Sequence, residues 1–182
     1  FHSCEEGYIL VVKRIKENAI IPTAANHTLG VGAVVINDKN EILVIKERIS
    51  NLGYKLPGGH IDNGEMISTA VSREVLEETG IIVEFESIIS LGHFYPHQFH
   101  KSNLYVICTA NPKTFEINIQ DIEEILDAKW VDVNAYLSDE KVLDYSKAII
   151  VAALEKKGFE RINQEVLAHI KKDFELFFPI KK

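Results

Sequence analysis

A glycine-rich loop that runs into an acidic helical stretch is the feature that most constrains the fold of this chain. The stretch Gly58–Ile81 reads GGHIDNGEMISTAVSREVLEETGI. Its apolar spacing predicts a helix over residues 65–79, and Gly80 is a natural residue to end that helix. The apolar residues that share one face, four positions apart, are Ile67, Val71 and Val75. The helix must therefore pack against a core while the glycines let the preceding loop turn tightly.

Three carboxylates of this helix lie on or beside the same packed face. Glu74 and Glu78 are four residues apart, and Glu77 borders them. Like charges at this spacing cost roughly 0.2–0.5 kcal/mol per pair. Carboxylates near a helix C-terminus cost about 0.3–1 kcal/mol each, and partial burial adds desolvation. A hard divalent cation would offset all three costs, because Mg²⁺ prefers carboxylate oxygens. Spacing alone leaves a solvated acidic face as the alternative.

Apolar, β-branched runs on both sides of the helix predict strands. One is expected over residues 8–15, and two more form a hairpin around the turn residues NDKN. Strands follow the helix at residues 81–95, 103–110 and 128–133. The tail predicts two helices, over 145–157 and 163–178. Strands around one central helix, with helices at the end, indicate an α/β fold with a mixed sheet flanked by helices.

Composition excludes several function classes. The 182 residues suffice for one globular domain, and the net charge of -7 with no basic face argues against nucleic-acid binding. Cys4 and Cys108 form neither a disulfide framework nor a zinc motif, which favours a reducing, cytoplasmic setting. Since no apolar run approaches the roughly 20 residues that span a bilayer, a membrane protein is not expected.

The spacing around the acidic helix resembles the complete Nudix box. Gly59 is followed after five residues by Glu65 and after seven more by Arg73–Ile81, with no departure at a defining position. The resemblance covers about residues 30–136 and implies a Nudix-type α/β/α sandwich with a mixed β-sheet. We expect a Nudix hydrolase domain over residues 26–182, including the C-terminal helices. Residues 1–25 would then be an N-terminal arm or the remnant of a preceding domain.

The resemblance also implies cleavage of a nucleoside diphosphate linked to another group, with Mg²⁺ or Mn²⁺ as cofactor. Glu77 would share the metal cluster and take part in catalysis, and Arg73 would orient the acids by pairing with Glu65. The implied metal ligands are Glu74, Glu78, Glu77 and the carbonyl of Gly58.

Family members often carry a further acid in a later loop, as general base or additional ligand. The segment before Trp130 offers Glu124 as first choice and Glu123 as second, with Asp121 nearby. A solvated loop acid is the alternative reading of each.

The substrate expectation depends on a narrower resemblance. PTAANHTLGVGAVV, before the box, is similar to the branch that holds the vertebrate fibroblast-growth-factor antisense product and plant ADP-ribose/NADH pyrophosphatases. Pro96 is a further, weaker sign of ADP-ribose hydrolases. In the loop 93–101, Tyr95 and Phe99 could stack on a base and Lys101 could meet a phosphate, unless the loop is simply exposed. His60 has no assigned role.

We therefore expect a small nucleotide such as ADP-ribose or NADH as the substrate, in a chain that could form a homodimer. The alternatives are a house-cleaning nucleoside triphosphate pyrophosphatase, a non-catalytic Nudix-fold nucleotide sensor and an acidic interaction protein. The nature of the products separates the two enzymes, and an intact set of acids argues against a sensor.

Overall fold

Strands dominate the computed structural model of the chain, which describes residues 3–5, 7–21, 25–50, 53–155, 157–162 and 173–180. None of the helices in those ranges has the length and apolar composition needed to cross a bilayer. The strands are β1 (Ser3–Glu5), β2 (Tyr8–Leu10), β3 (His27–Val35), β4 (Glu41–Glu47), β5 (Val83–Phe94), β6 (Ser102–Pro112), β7 (Ile125–Asp132), β8 (Phe159–Arg161) and β9 (Phe177–Pro179). The helices are α1 (Ile67–Thr79), α2 (Val133–Ser138) and α3 (Asp144–Leu154).

The main sheet is mixed, as the sequence predicts. Its strand order is β3-β6-β5-β8-β9, with β3 and β6 parallel and the other neighbours antiparallel. A second sheet holds β4 and β7, and β1 pairs with β2 in a separate hairpin. Backbone hydrogen bonds join the glycine-rich loop to β3: Val31 N–H donates to the Gly59 carbonyl and Ala33 N–H to the Pro57 carbonyl, each at 2.9 Å. This pairing sets the position of the loop.

Two strand predictions were wrong in detail. β3 and β4 are joined by a turn but do not form a hairpin ladder, since a single bridge, Ile36 to Ile42, links them. β4 pairs instead with β7, and its two faces lie in different core clusters, Leu43 in one and Ile42 and Val44 in another. The strand expected over residues 8–15 ends at Leu10, and its residues, like those that follow, are exposed, so no core extends the strand.

Helix α1 has the predicted end and the predicted buried face. Gly80 takes a left-handed conformation with φ 75°, and its N–H donates to the Leu76 carbonyl at 2.7 Å. Val71 and Val75 are fully or almost fully buried. The helix begins two residues later than predicted, because Glu65 lies in a turn in which its N–H donates to the Asp62 carbonyl at 3.0 Å.

The tail contains one of the two predicted helices, α3. Of the second, residues 163–172 lie outside the described part of the chain. Its predicted last turn was wrong, because Phe177–Pro179 is strand β9, paired with β8, which in turn extends the main sheet at β5. The Phe177 ring contacts the Phe85 ring with centroids 5.7 Å apart, so these aromatic residues bury against the sheet in extended conformation.

A tail carboxylate caps the beginning of α1. The Glu175 side chain is 5% exposed and lies 3.3 Å from Arg161. One of its oxygens accepts the Ser68 backbone N–H at 3.3 Å, and the other accepts the Ser68 hydroxyl. A carboxylate at this position satisfies a free N–H group and meets the positive end of the helix dipole.

We predict that Glu175→Ala lowers the free energy of unfolding by about 1–2 kcal/mol, the size of a lost helix cap. Glu160→Ala, in the exposed face of β8, is the matched control and should change stability little. Urea unfolding of the two variants measures the difference. Equal stability of both variants would contradict the capping role.

Candidate active site

The loop before α1 approaches β3 and the helix most closely at two glycines, of which Gly58 leaves no room for a side chain. Gly58 has φ 146°, and a Cβ added there would lie 2.2 Å from the Val31 carbonyl oxygen. A Cβ added to Gly59 would lie 2.7 Å from the Glu74 carboxylate. The absence of both side chains places the loop backbone directly against the acids of the helix.

Glu78 is the most buried acid of the helix. It is 4% exposed, and one carboxylate oxygen accepts the Gly58 N–H at 2.7 Å. Burial raises the pKa of Glu78 to about 8, although the Gly58 hydrogen bond and the charge of Lys55 both act to lower it. The Gly58 N–H therefore donates to a carboxyl group whose ionised form is poorly solvated.

Arg73 donates hydrogen bonds to the other acids of the site. Its guanidinium donates to Glu65 at 2.9 and 2.8 Å, to Glu74 at 2.9 Å and to Glu77 at 3.1 Å, and also to the His60 carbonyl at 3.0 Å. The contact with Glu65 is the pairing that the resemblance implies. It lowers the pKa of Glu65. For Glu74, desolvation outweighs the effect of Arg73, so its pKa is raised.

The oxygen donors of this site fit a hard divalent cation in their chemistry. Three carboxylates and the adjacent loop carbonyl are the ligand types that Mg²⁺ and Mn²⁺ accept. A cation would also neutralise buried Glu78, which has no hydrogen bond to a cationic side chain among the described residues. As the side chains stand, no three acidic, histidine or cysteine residues in the described ranges converge on one point. Arg73 holds Glu74 and Glu77 instead.

Glu124 is the loop acid that the structure brings toward the helix. Its charge is among those that raise the pKa of both Glu74 and Glu78. Asp121 instead accepts the Glu124 backbone N–H at 3.0 Å, which uses its carboxylate to hold the turn. An open cavity of about 450 Å³ beside this turn is lined by Glu47, Ile49, Asp121, Glu123 and Glu124.

The sequence did not reveal one ion pair at this site. Lys55 pairs with Glu47, and the charge of Lys55 lowers the pKa of Glu78. The two residues meet because the backbone of Lys55 exchanges hydrogen bonds with Ile45, each at 2.9 Å. A lysine three residues before the glycine pair was the available signal, but its partner depends on a register that no local pattern gives.

The loop 93–101, which we expect to stack on the nucleobase, lies beside the stretch 58–81. The His97 ring is 6.2 Å from the His60 ring, and the His97 N–H donates to the Lys101 carbonyl at 2.9 Å. Tyr95 is 70% exposed. The backbone of Phe99 lies in a single 3₁₀ turn, residues 98–100, and its side chain lies outside the described part of the structure.

Comparison with known proteins agrees with this arrangement of loop and helix. Residues 26–152 match the family profile described as the NUDIX domain. The chain belongs to the Nudix hydrolase family. It is 36% identical to Nudix hydrolase 2 of Arabidopsis thaliana over 80% of this chain and 54% of that protein. It is 35% identical to nucleoside diphosphate-linked moiety X motif 6 of Xenopus laevis over 90% of this chain and 78% of that protein.

Solved Nudix structures share the fold. A NUDIX hydrolase from Nitrosomonas europaea superposes with a TM-score of 0.62 at 23% identity, over 80% of this chain and 97% of that one. The NUDIX domain of Shewanella oneidensis NrtR, complexed with ADP ribose, gives a TM-score of 0.59 at 23% identity, over 71% and 88%. The expected α/β Nudix fold is confirmed. The chain spans about half the length of several curated relatives, such as 54% of Nudix hydrolase 2 and 51% of Nudix hydrolase 7.

In the metal-free protein, Glu78 should make the free energy of unfolding depend on pH. Its folded pKa of about 8 lies above the ordinary value of 4.5, so the protonated acid favours folding. This contribution is complete below about pH 4.5 and is lost as the pH rises through about 8. Relative to Glu78→Gln, the parent protein should therefore lose stability from pH 5 to 8, with a slope of at most about 1.4 kcal/mol per pH unit.

Urea unfolding of both proteins in a chelator at several pH values measures this difference. Parallel stability curves would show that Glu78 titrates alike in the folded and unfolded chains.

Proposed function

We propose that this protein hydrolyses a nucleoside diphosphate linked to another moiety, such as ADP-ribose or NADH, at its pyrophosphate with the help of a divalent cation. The observation that carries the proposal is the acidic face of α1 against the Gly58 backbone, where a loop N–H is the only hydrogen-bond donor to buried Glu78 among the described residues. Two comparisons support the substrate class: one relative is named for nucleoside diphosphate-linked moieties, and one similar domain was solved with ADP ribose.

The carboxylates and one backbone oxygen would hold Mg²⁺ or Mn²⁺. The ligands are Glu74, Glu77, Glu78 and the Gly58 carbonyl. A cation bound there neutralises phosphate oxygens and lowers the pKa of bound water. Because Glu78 is almost fully buried and Glu77 is about half exposed, Glu78 would fix the inner side of the site and Glu77 the side that faces the substrate.

Arg73 and Glu65 would position the acids. The guanidinium contacts three carboxylates, and burial and Glu65 keep it in one place beside the helix. Arg73 remains charged, since its acidic neighbours raise its pKa. It therefore reduces the repulsion between Glu74 and Glu77, which share its Nη1 donor.

Glu124 would act as general base toward the attacking water. It stands on the turn before β7, beside an open cavity. Its backbone is held by hydrogen bonds with Arg48 at 2.9 Å and with the Asp121 side chain at 3.0 Å. A carboxylate on a fixed turn can accept a proton without leaving the site. Glu123 and Asp121 line the same cavity.

The nucleoside half of the substrate would reach the loop 93–101, where Tyr95 and Phe99 offer aromatic faces and Lys101 a positive charge. The His60–His97 ring contact supports this, because it brings that loop beside the box. Tyr95 is exposed and so is available for stacking.

Glu124→Gln should lower kcat by about 10²–10⁴-fold, the usual size of general-base assistance, with little change in metal affinity. Glu123→Gln, one residue away and lining the same cavity, is the matched control and should retain most of the rate. Steady-state kinetics and metal titration measure the two effects. If Glu123→Gln is the slower variant, the assignment passes to Glu123.

A substrate panel tests the proposed function itself. We expect a higher kcat/KM for ADP-ribose or NADH than for any nucleoside triphosphate, with AMP among the products. Tyr95→Ala should cost about 1–3 kcal/mol in transition-state binding, the size of one stacking contact. Nucleotide chromatography reads the products. A triphosphate as best substrate, with pyrophosphate released, would overturn the substrate class, and tight binding without turnover would indicate a sensor.

A further inference from the structure

The ring of Tyr105 lies against two glycines of the neighbouring strand. Tyr105 on β6 is the register partner of Gly30 on β3. A Cβ added to Gly30 would lie 2.7 Å from the Tyr105 Cδ2 atom, and one added to Gly32 would lie 3.2 Å from the Tyr105 hydroxyl oxygen. The ring therefore runs along β3 from Gly30 toward Gly32, in a slot that exists because both positions lack a side chain.

The hydroxyl end of the Tyr105 ring lies close to the proposed metal site. A Cβ added to Gly58 would lie 2.6 Å from the Gly32 Cα, so Gly58 and the Tyr105 hydroxyl both adjoin Gly32. Burial raises the pKa of Tyr105, and the charges of Glu78 and Glu74 add to that rise. Tyr105 thus belongs to the surroundings of the acids, although no part of the Nudix box contains it.

The hydroxyl is a hydrogen-bond donor without an acceptor. No hydrogen bond joins it to another residue in the described ranges, whereas buried Tyr136 donates to the Tyr54 carbonyl at 3.2 Å. Burial, reinforced by the nearby acids, raises the pKa of Tyr105, so the hydroxyl keeps its proton at neutral pH. A hydroxyl with no acceptor in the described part of the protein is free to donate to a ligand, and an oxyanion is the strongest acceptor for it.

We propose that the Tyr105 hydroxyl donates a hydrogen bond to a phosphate oxygen of the bound diphosphate. This inference rests on the proposed function, which places the diphosphate at the acids next to Gly58. A neutral donor is suited to this position, because it binds an anion while adding no charge to compete with the cation for the same carboxylates. The alternative is that Tyr105 only fills space between the sheet and its apolar neighbours.

Tyr105→Phe separates these two roles, since it keeps the ring and removes only the hydroxyl. If the hydroxyl binds phosphate, kcat/KM should fall about 10- to 150-fold for every diphosphate that the protein accepts, the range expected for a hydrogen bond to a charged group. The melting temperature should change by no more than about 1–2 °C, because a hydroxyl without a protein partner contributes little to folding. Tyr8→Phe, which removes an exposed hydroxyl in the β1–β2 hairpin, is the matched control.

Binding gives a readout that does not depend on turnover. In Mg²⁺, the affinity for a methylene-bridged, non-hydrolysable ADP-ribose analogue should weaken by about tenfold or more in Tyr105→Phe, while the affinity for Mg²⁺ alone should not change. Calorimetry measures both. If the ring only fills space, Tyr105→Phe should leave both the melting temperature and the affinity for the analogue unchanged.

Gly32→Ala tests the slot independently. The added methyl group would lie 3.0 Å from Ile107 Cδ1, 3.1 Å from Tyr105 Cε1 and 3.2 Å from the Tyr105 hydroxyl, so these side chains must move by a few tenths of an ångström. Gly32→Ala should lower kcat/KM much less in Tyr105→Phe than in the parent protein, because the hydroxyl is already absent from Tyr105→Phe.

Full diphosphate hydrolysis and unchanged analogue affinity in Tyr105→Phe would overturn the inference and leave the proposed function standing. A parent protein that hydrolyses no diphosphate in the panel would overturn the proposed function itself.

Discussion

The hydrogen bond from the Gly58 N–H to the buried Glu78 carboxylate is the interaction on which the site depends. At 2.7 Å it ties the glycine-rich loop to the last turns of α1. The loop can take this position only because Gly58 adopts φ 146° and leaves no Cβ against β3. The Val31 and Ala33 hydrogen bonds then fix the loop along the free edge of β3. The sheet, the loop and the acidic helix are thereby held as one unit.

Electrostatics explains why such an arrangement calls for a cation. Burial works against the ionised form of both Glu74 and Glu78. In the part of the chain that the structure describes, Arg73 is the only cation paired with Glu65, Glu74 and Glu77. The acids also stand near the negative end of the helix dipole. A divalent cation offsets these costs together, so the features that make the site unfavourable for folding are those that make it suitable for binding metal.

Local patterns in the sequence predicted what local geometry determines. The end of α1 at Gly80, its buried valines and the shared face of Glu74 and Glu78 follow from a period of 3.6 residues and a left-handed glycine. The pairing of Arg73 with Glu65 was available only through the family resemblance.

Contacts that depend on distant registers could not be predicted. β4 pairs with β7, which lies far along the sequence, Lys55 meets Glu47 through a bridge to Ile45, and Glu175 reaches Ser68 from the tail. A β-branched run fixes a strand but not its partner, and a single acid in a tail carries no signal of the helix that it caps. The strand at Phe177–Pro179 follows the same rule, since pairing with β8 overrides its helical spacing.

The measurement that most directly tests the central claim is the shift in melting temperature on titration with Mg²⁺ or Mn²⁺. Ligand that binds only the folded chain stabilises it in proportion to the logarithm of its concentration. Glu84→Gln, which changes an exposed acid of β5 paired with Lys113, serves as control. The account predicts a rising melting temperature in the parent protein and in Glu84→Gln, and little or no rise in Glu78→Gln. Equal shifts in all three proteins would contradict a metal site at Glu78.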